Sequence, residues 1–388
     1  MELQKIEVID INVFIKDGVV VRAESSGNKL RGFERSFIGK NFSELIDIVP
    51  RTLATCSQAH IYALTKNMKG FEKTRALLLK LEIVESHLKH PYIYWFPNLD
   101  LGKDYDFPQG SKYRRIIYCS KLIRNLMEKI AGKFPHNSYL KDKRDIYFKK
   151  EELSEILQII EKEVFGMSLN EFLELEDFEE LKGDVRLLYD KAKDLLYFTS
   201  GIRNYLVVGF PFVSSFDYSK LCDYGTEIEY EGKKVEVGPL AQALTFDPLV
   251  KKYYSKIGPS PLLREIARMR IIAKLLTSLE DFFEFGDLEE IQDGEFINTV
   301  ESIRGSLIHH FEIKNKLVKY YKIIQPTSII ASRGGALEKA IEGLRINNVK
   351  NPVELTLVVS SLDTCFVSRV RLIQDGKIVS EKRIGGLC

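Results

Sequence analysis

Apolar residues recur along this chain with two different spacings, and each spacing predicts a different element. Near the start, Ile6, Val8, Ile11, Val13 and Ile15 lead into the turn pair Asp17-Gly18, and Val19-Val20-Val21 follow, so residues 5–22 read as a hairpin. Residues 43–69 read as mostly helical. Leu77, Leu81, Val84 and Leu88 recur at spacings of four, three and four, which predicts a helix over about 72–90 that stops before Pro91. Helical patterns return at 112–131, 149–165 and 169–200, with an aperiodic stretch from Gly132 to Asp145. A long helix is expected over 261–285, opened by Pro261 and closed by Gly286. Residues 226–237 read as a ribbon turning at Glu231-Gly232, and 309–325 as another turning near Asn315. Helices at 334–345 and 352–361 and a last hairpin at 367–384, around Asp375-Gly376, complete the chain. The expected fold is mainly α (α+β): one domain over 1–388, a helical body with small antiparallel sheets at its ends.

Composition narrows the class. Of 388 residues, 45% are apolar and 29% charged, so the chain can bury a sizeable core. Lys plus Arg number 57 against 55 Asp plus Glu, and a net charge of +2 gives no basic footprint for nucleic acid. No apolar run is long enough to span a bilayer, and the opening MELQKIEVID has no signal-peptide pattern. There is no glycine-rich phosphate loop. The five cysteines, Cys56, Cys119, Cys222, Cys365 and Cys388, are odd in number and widely spread, which argues against a disulfide framework. Cytoplasmic localisation is the expectation.

Two cysteines sit in distinctive surroundings. Cys56 lies in Pro50-Arg51-Thr52-Leu53-Ala54-Thr55-Cys56-Ser57-Gln58-Ala59-His60, and Cys365 in Ser361-Leu362-Asp363-Thr364-Cys365-Phe366-Val367-Ser368. Soft metals take thiolate ligands, and segments this far apart can share a site only if the fold joins the chain's ends. These segments resemble the R-x-C-G-x-C-x-x-x-H and D-P-C-x-x-C-x-x-H motifs of the large subunit of nickel-iron hydrogenases. The likeness extends further. Arg31-Gly32-Phe33-Glu34 with Gly39-Lys40 is similar to the family's R-G-F-E…G-R. Val237-Gly238-Pro239-Leu240-Ala241 is similar to V-G-P-L-A-R, a soluble-branch feature. Arg304-Gly305-Ser306-Leu307-Ile308-His309 is similar to P-R-G-x-L-x-H, and Ile324-Gln325-Pro326-Thr327 to I-x-P-T. The matches keep the family's order across nearly the whole chain.

The departures set what the resemblance implies. The family holds nickel with four cysteines, two of which bridge to an iron carrying cyanide and carbon monoxide. In this chain the first cysteine of one pair is Leu53, and the second of the other is Ser368. The family's final histidine is Arg371, Ala54 replaces a glycine, and Thr364 and Ile303 replace prolines. Cys56 matches a bridging position and Cys365 a terminal one. Leucine cannot ligate, and a serine oxygen is a hard substitute for a soft thiolate. The resemblance therefore implies a nickel-iron centre that is absent or altered, with Cys56, Cys365 and Ser368 as the remaining candidate metal ligands. Glu34 matches a magnesium ligand of the family whose partner is that final histidine. With Arg371 there, magnesium is not expected, and an Arg371–Glu34 ion pair is. The tail, which the family removes after the histidine, is expected to be retained.

Arg304 and Asp363 match residues beside the family's iron ligands and are candidate catalytic groups, though a structural ion pair between them is equally open. Glu7, in Lys5-Ile6-Glu7, is similar in position to the family's proton-relay glutamate in R-I-E-G-H, but Val8 and Ile9 replace the Gly-His, and the plain reading is a glutamate on a strand face. His60, one helical turn after Cys56, is either a group near the thiolate or a core histidine. His87 and His90 read as helix C-terminal residues, and His309-His310 should face opposite ways. The leading expectation is a hydrogenase-like large subunit of a multi-subunit redox complex, docked on a small iron-sulfur subunit, with ordinary hydrogen activation lost or altered. Relatives in respiratory complex I and in a sulfur-reducing complex have lost such ligands and kept the fold. The alternatives are an oxidoreductase with a changed metal or thiol site, such as one reducing sulfur species by dithiol-disulfide cycling, and a working hydrogenase subunit with a variant nickel site. A purely structural or regulatory binding protein is a further alternative.

Overall fold

The structure is a computed structural model, and it describes residues 8–26, 32–141, 143–365 and 367–385. The first hairpin forms as the alternation predicts. β1 (Val8–Lys16) turns Ile9, Ile11, Val13 and Ile15 inward, and β2 (Val19–Ser25) returns antiparallel to it. Asp17 and Gly18 both have positive φ, which a two-residue hairpin turn of the chain's natural twist needs. β3 (Arg144–Phe148), β4 (Leu221–Asp223), β5 (Ile228–Tyr230), β6 (Phe282–Gly286), β7 (Gly294–Ser302), β8 (Gly305–Lys314) and β9 (Leu317–Ile324) form the smaller sheets. At the other end of the chain, β10 (Val367–Gln374) and β11 (Lys377–Ile384) form the last hairpin, turning at Asp375-Gly376. The two terminal hairpins are not separate antiparallel units. β1 and β10 pair in parallel, Val8 opposite Val367 through Ile15 opposite Gln374, to give one mixed sheet of order β11-β10-β1-β2.

The helical body runs α1 (Phe42–Thr52), α2 (Ser57–Thr65), α3 (Glu72–His90), α4 (Ser111–Ala131), α5 (Ser154–Ile159), α6 (Leu169–Glu174) and α7 (Gly183–Tyr197). It continues with α8 (Pro239–Phe246), α9 (Pro248–Ile257), α10 (Pro261–Thr277), α11 (Pro326–Ile330), α12 (Ala336–Ile341) and α13 (Val353–Ser361). The predicted stretch 169–200 is two helices. Between them the backbone at Gly183 (φ +61°) passes Gly166 so closely that a Cβ on Gly183 would lie 2.6 Å from the carbonyl oxygen of Val164. The predicted helix 261–285 ends at Thr277, because Phe282-Phe283-Glu284-Phe285 pairs with β3 instead. Pairing also moves Glu284 to the start of α3, where its carboxylate accepts the amide protons of Lys73 and Thr74, both at 2.8 Å. The Glu231-Gly232 turn forms, but β5 pairs mainly with β4. β7 has no counterpart in the sequence reading and completes a three-stranded sheet with β8 and β9.

Helix α10 is buried along all but its last turn, where Lys274 is exposed, and three arginines on it are almost wholly desolvated. Each has a carboxylate. Arg264 meets Glu236 through two bonds of 2.7 and 2.8 Å, Arg268 meets Glu265 at 2.8 Å, and Arg270 meets Asp247 at 2.5 Å. Arg268 also donates to the carbonyl of Ser361 at 2.7 Å, and Glu265 bonds His90, whose other nitrogen meets the carbonyl of Ser360 at 3.0 Å. These bonds tie α10 to α3 and to the end of α13.

Removing one partner of such a pair leaves an unpaired buried charge. We expect Arg264→Ala to cost about 3–5 kcal/mol, and the double change Arg264→Met with Glu236→Leu to recover most of that. Chemical denaturation of the full chain measures both, and equal destabilisation of single and double variants would count against the assignment.

Candidate functional site

The central site assembles from four chain segments. Cys56 ends a one-turn 3-10 helix, Ala54–Cys56, and stands at the N-cap of α2. Cys365 follows α13 by way of Asp363, whose positive φ of 47° turns the chain sharply. The amide of Cys365 donates to Thr327 Oγ1 at 3.2 Å. Arg304 sits on the turn from β7 to β8. That turn is held against the start of α8 by glycines: a Cβ on Gly305 would lie 2.4 Å from the nitrogen of Gly238, and one on Gly238 would lie 3.1 Å from the carbonyl oxygen of Arg304.

Arg304 and Asp363 meet as expected, with Nη2 and Oδ1 3.3 Å apart and both side chains 4% exposed. Burial pushes the Asp363 carboxyl up, but Arg304, with His90 and Arg268 beyond it, outweighs burial and holds the acid below the usual carboxylate range. The Cys56 thiol goes the other way. Burial drives it well above its ordinary value, and the neighbouring Cys365 and Glu82 add to this while Arg304 opposes. Cys56 and Cys365 therefore share one environment, both as free thiols, and Cys56 is protonated at neutral pH.

Glu82 was not singled out by sequence. It lies mid-helix in α3, yet its carboxyl accepts from Ser57 Oγ at 3.2 Å and from the amides of Gln58 and Ala59 at 2.8 and 3.2 Å, capping α2 right after Cys56. Burial pushes it up to about 8. A charged residue at an interior position of the α3 stripe, Leu81-Glu82-Ile83-Val84, was the available signal. Glu82 also lines a cavity of about 390 Å³ beside Cys56, with Thr55, Lys89, Arg124, Phe134 and His136.

The histidines separate into core and surface. His60 is not bonded to a thiol. Its Nδ1 lies 2.9 Å from His309 Nε2, and His309 Nδ1 lies 2.8 Å from Tyr321 Oη. Burial lowers His60 to about 3, so this pair is neutral. His310 points the opposite way, to Glu295 and Tyr218, as strand alternation requires. His87 is fully buried with neither ring nitrogen hydrogen-bonded.

The remaining candidates scatter. Ser368 is buried and its hydroxyl is 3.0 Å from Thr364 Oγ1. Leu53 caps α1 and packs against the main hydrophobic core. The expected Arg371–Glu34 pair does not form. Along β10, Ser368, Val370 and Leu372 face inward, so Arg369 and Arg371 face outward, where Arg371 meets Glu381 at 2.9 Å and Asp10 at 3.5 Å. Glu34 instead accepts the amide of Gly32 at 3.0 Å. Glu7 lies outside the described residues.

These residues do not fit the nickel-iron centre that the resemblance implies. Two soft donors are present, the third position is a hydrocarbon, and the fourth is a hydroxyl bonded to Thr364. Among the described residues no cluster of three His, Cys, Asp or Glu could hold a metal ion. The magnesium position does not fit either, since a guanidinium on the outer sheet face offers no donor lone pair.

Comparison with known proteins places this arrangement. The family model described as nickel-dependent hydrogenase matches residues 273–370, which includes α13, Asp363 and Cys365. The chain is 25% identical to sulfhydrogenase 1 subunit alpha of Pyrococcus furiosus over 393 residues, covering 89% of this chain and 90% of that one. It is 24% identical to the periplasmic NiFeSe hydrogenase large subunit of Desulfomicrobium baculatum over 486 residues, covering 94% and 92%. The Ni-Fe-Se hydrogenase of D. vulgaris Hildenborough superposes with a TM-score of 0.68 at 19% identity, over 90% of this chain and 94% of that one. Ordered motifs, near-complete coverage and a shared fold agree: the chain is similar to the large subunits of nickel-iron hydrogenases along most of its length, has their fold, and carries the nickel-dependent hydrogenase family match at residues 273–370.

Proposed function

We propose that this chain is the large subunit of a multi-subunit redox complex in which ordinary hydrogen activation has been lost or altered. The observation that carries the reading is the donor set at the centre, where Leu53 and Ser368 stand in place of two thiolates and Ser368 is engaged with Thr364. The nickel-iron group of the family supplies hydrogen splitting when bound, and this chain retains the frame around its position with two of the four thiolates, Cys56 and Cys365. What its own residues do there is define a buried, charged pocket wall. Arg304 presents a guanidinium anchored by ionised Asp363, and Glu82 and the α10 network fix the segments that carry Cys56 and Cys365.

A small iron-sulfur subunit is the proposed partner. The chain carries no electron-carrying cofactor motif of its own, and the cavity beside Cys56 is lined in part by Phe134, a phenylalanine 54% exposed. An exposed aromatic on the lining of a charged cavity suits a partner subunit. No helix among the described residues is long and apolar enough to cross a membrane. The free cysteines suit a reducing compartment, and we place the protein in the cytoplasm.

A second reading, reduction of sulfur species by Cys56 and Cys365, draws on the nearness of the two thiols and on relatives named sulfhydrogenases. It ranks lower because attack on sulfur needs a thiolate, and Cys56 is held as the thiol.

The direct test is elemental analysis with hydrogen-dependent dye reduction, on the native complex under anoxic conditions. We expect no stoichiometric nickel and no turnover. Robust turnover with about one nickel per chain would return the protein to the working hydrogenases. Restoring the thiolates with Leu53→Cys and Ser368→Cys is expected to yield no hydrogen activation, because Arg371 still replaces the histidine of the family motif.

For the partner, affinity purification from native extract should recover an iron-sulfur subunit. Phe134→Glu should reduce that recovery several-fold while leaving the melting temperature of the chain nearly unchanged, as a surface substitution does. Recovery of the wild-type chain alone would remove the redox-complex reading.

A further inference from the structure

One buried carboxyl has no part in the site described above. Glu301, next to last on β7, is completely buried. Its Oε1 lies 2.8 Å from the amide nitrogen of Val208 and 2.7 Å from Ser306 Oγ, and its Oε2 lies 2.8 Å from Gln242 Nε2. These contacts come from the segment 205–210, from β8 and from α8. All are neutral. Gln242 stands where the family motif V-G-P-L-A-R ends in arginine, so an amide rather than a guanidinium meets the acid. The titratable groups on the surrounding elements are engaged elsewhere. His60 and His309 bond each other, Lys66 bonds Thr299, His310 bonds Glu295, Arg304 pairs with Asp363, and Glu236 pairs with Arg264. The helix α8 carries no charged residue, and the only titratable side chain in 205–210 is Tyr205, whose phenol is held protonated by burial.

Ser306 supplies the second observation. Its hydroxyl oxygen is 2.7 Å from Glu301 Oε1 and 3.1 Å from the carbonyl oxygen of Leu206, and it has one proton to give. When Glu301 is ionised, that proton goes to the carboxylate and Leu206 receives nothing from Ser306. When Oε1 is protonated, Glu301 donates to Ser306 Oγ and Ser306 donates to Leu206, so every group in the row is satisfied. One proton from water thus rewires two hydrogen bonds without moving a heavy atom.

We propose that Glu301 is a buried proton switch, whose protonation state decides whether Ser306 bonds the carboxyl or fastens the 205–210 segment. That segment is stitched to the frame on both sides, Leu206 to the carbonyl of Glu236 and the amide of Glu301 to the carbonyl of Phe210, so the switch acts on a strap beside the turn that carries Arg304. The proposal does not depend on metal content or on the partner.

Burial raises Glu301 to about 7, which places the switch at neutral pH. An acid raised on folding contributes stability that is present below its unfolded value, about 4.3, and lost as pH rises towards 7. The test is the melting temperature of the full chain, with the subunits it purifies with, from pH 5 to 8.5, for the wild type and Glu301→Gln. The expected result is a variant-minus-wild-type difference that grows with pH and levels off above about pH 7–8. A difference independent of pH would overturn the proposal. Difference infrared spectroscopy gives an independent readout. Glu82 also contributes a protonated-carboxyl band near neutral pH, so the readout is the wild-type-minus-Glu301→Gln difference: it should hold one protonated-carboxyl component that fades across neutral pH, and that component should persist about one pH unit higher in Ser306→Ala, which removes a donor to the ionised form. Coincident wild-type and Ser306→Ala midpoints would remove Ser306 from the switch.

Discussion

The structure depends on pairing the charges that α10 carries into the interior. Three guanidinium groups lose almost all contact with water there, a cost that only well-placed carboxylates and carbonyls offset. Their partners come from distant parts of the chain: Glu236 before α8, Asp247 between α8 and α9, and the carbonyl of Ser361 at the end of α13. Satisfying these groups leaves little freedom in where those elements lie. The position of Asp363, two residues after Ser361, follows from it, and so does the meeting of Asp363 with Arg304.

A second constraint comes from the chain's ends. Parallel pairing of β1 with β10 needs a long crossover, and here nearly the whole helical body is that crossover. The pairing brings the residues after Cys365 back beside the first strand. It also sorts them by the two-residue period of a strand. Ser368 turns inward towards Thr364, while Arg371 turns outward to Asp10 and Glu381. Ser368 therefore lies on the inner face of the sheet, and Arg371, which aligns with the family's final histidine, is part of an ion-paired outer face.

The surroundings of Cys56 follow the same logic. A cysteine at a helix N-cap would ordinarily gain thiolate character from the free amides behind it. In this chain Glu82 occupies the amides of Gln58 and Ala59 and places a carboxyl near the thiol, so the local field favours the protonated form. The fold thus joins Cys56 to Cys365, and burial, with Cys365 and Glu82 beside it, favours the protonated thiol at Cys56.

Local pattern determined much of this protein. The hairpins at both ends, the helix over 72–90, the Asn315 turn and the opposed faces of His309 and His310 need only periodicity and turn chemistry, which act within a few residues. The ordered motifs pointed to Cys56, Cys365, Arg304 and Asp363 together, and the fold pairs Arg304 with Asp363. Tertiary structure decided what depended on partners far along the chain. Phe282-Phe283-Glu284-Phe285 became a strand because β3 lay open to pair with it. Arg371 left Glu34 because the parallel register with β1 set its face. His60 turned to His309, Glu82 capped a helix that begins 25 residues earlier, and Glu301 found only neutral neighbours. In each case the sequence carried the functional group, but its partner, and hence its charge state, was set by long-range packing that no local spacing encodes.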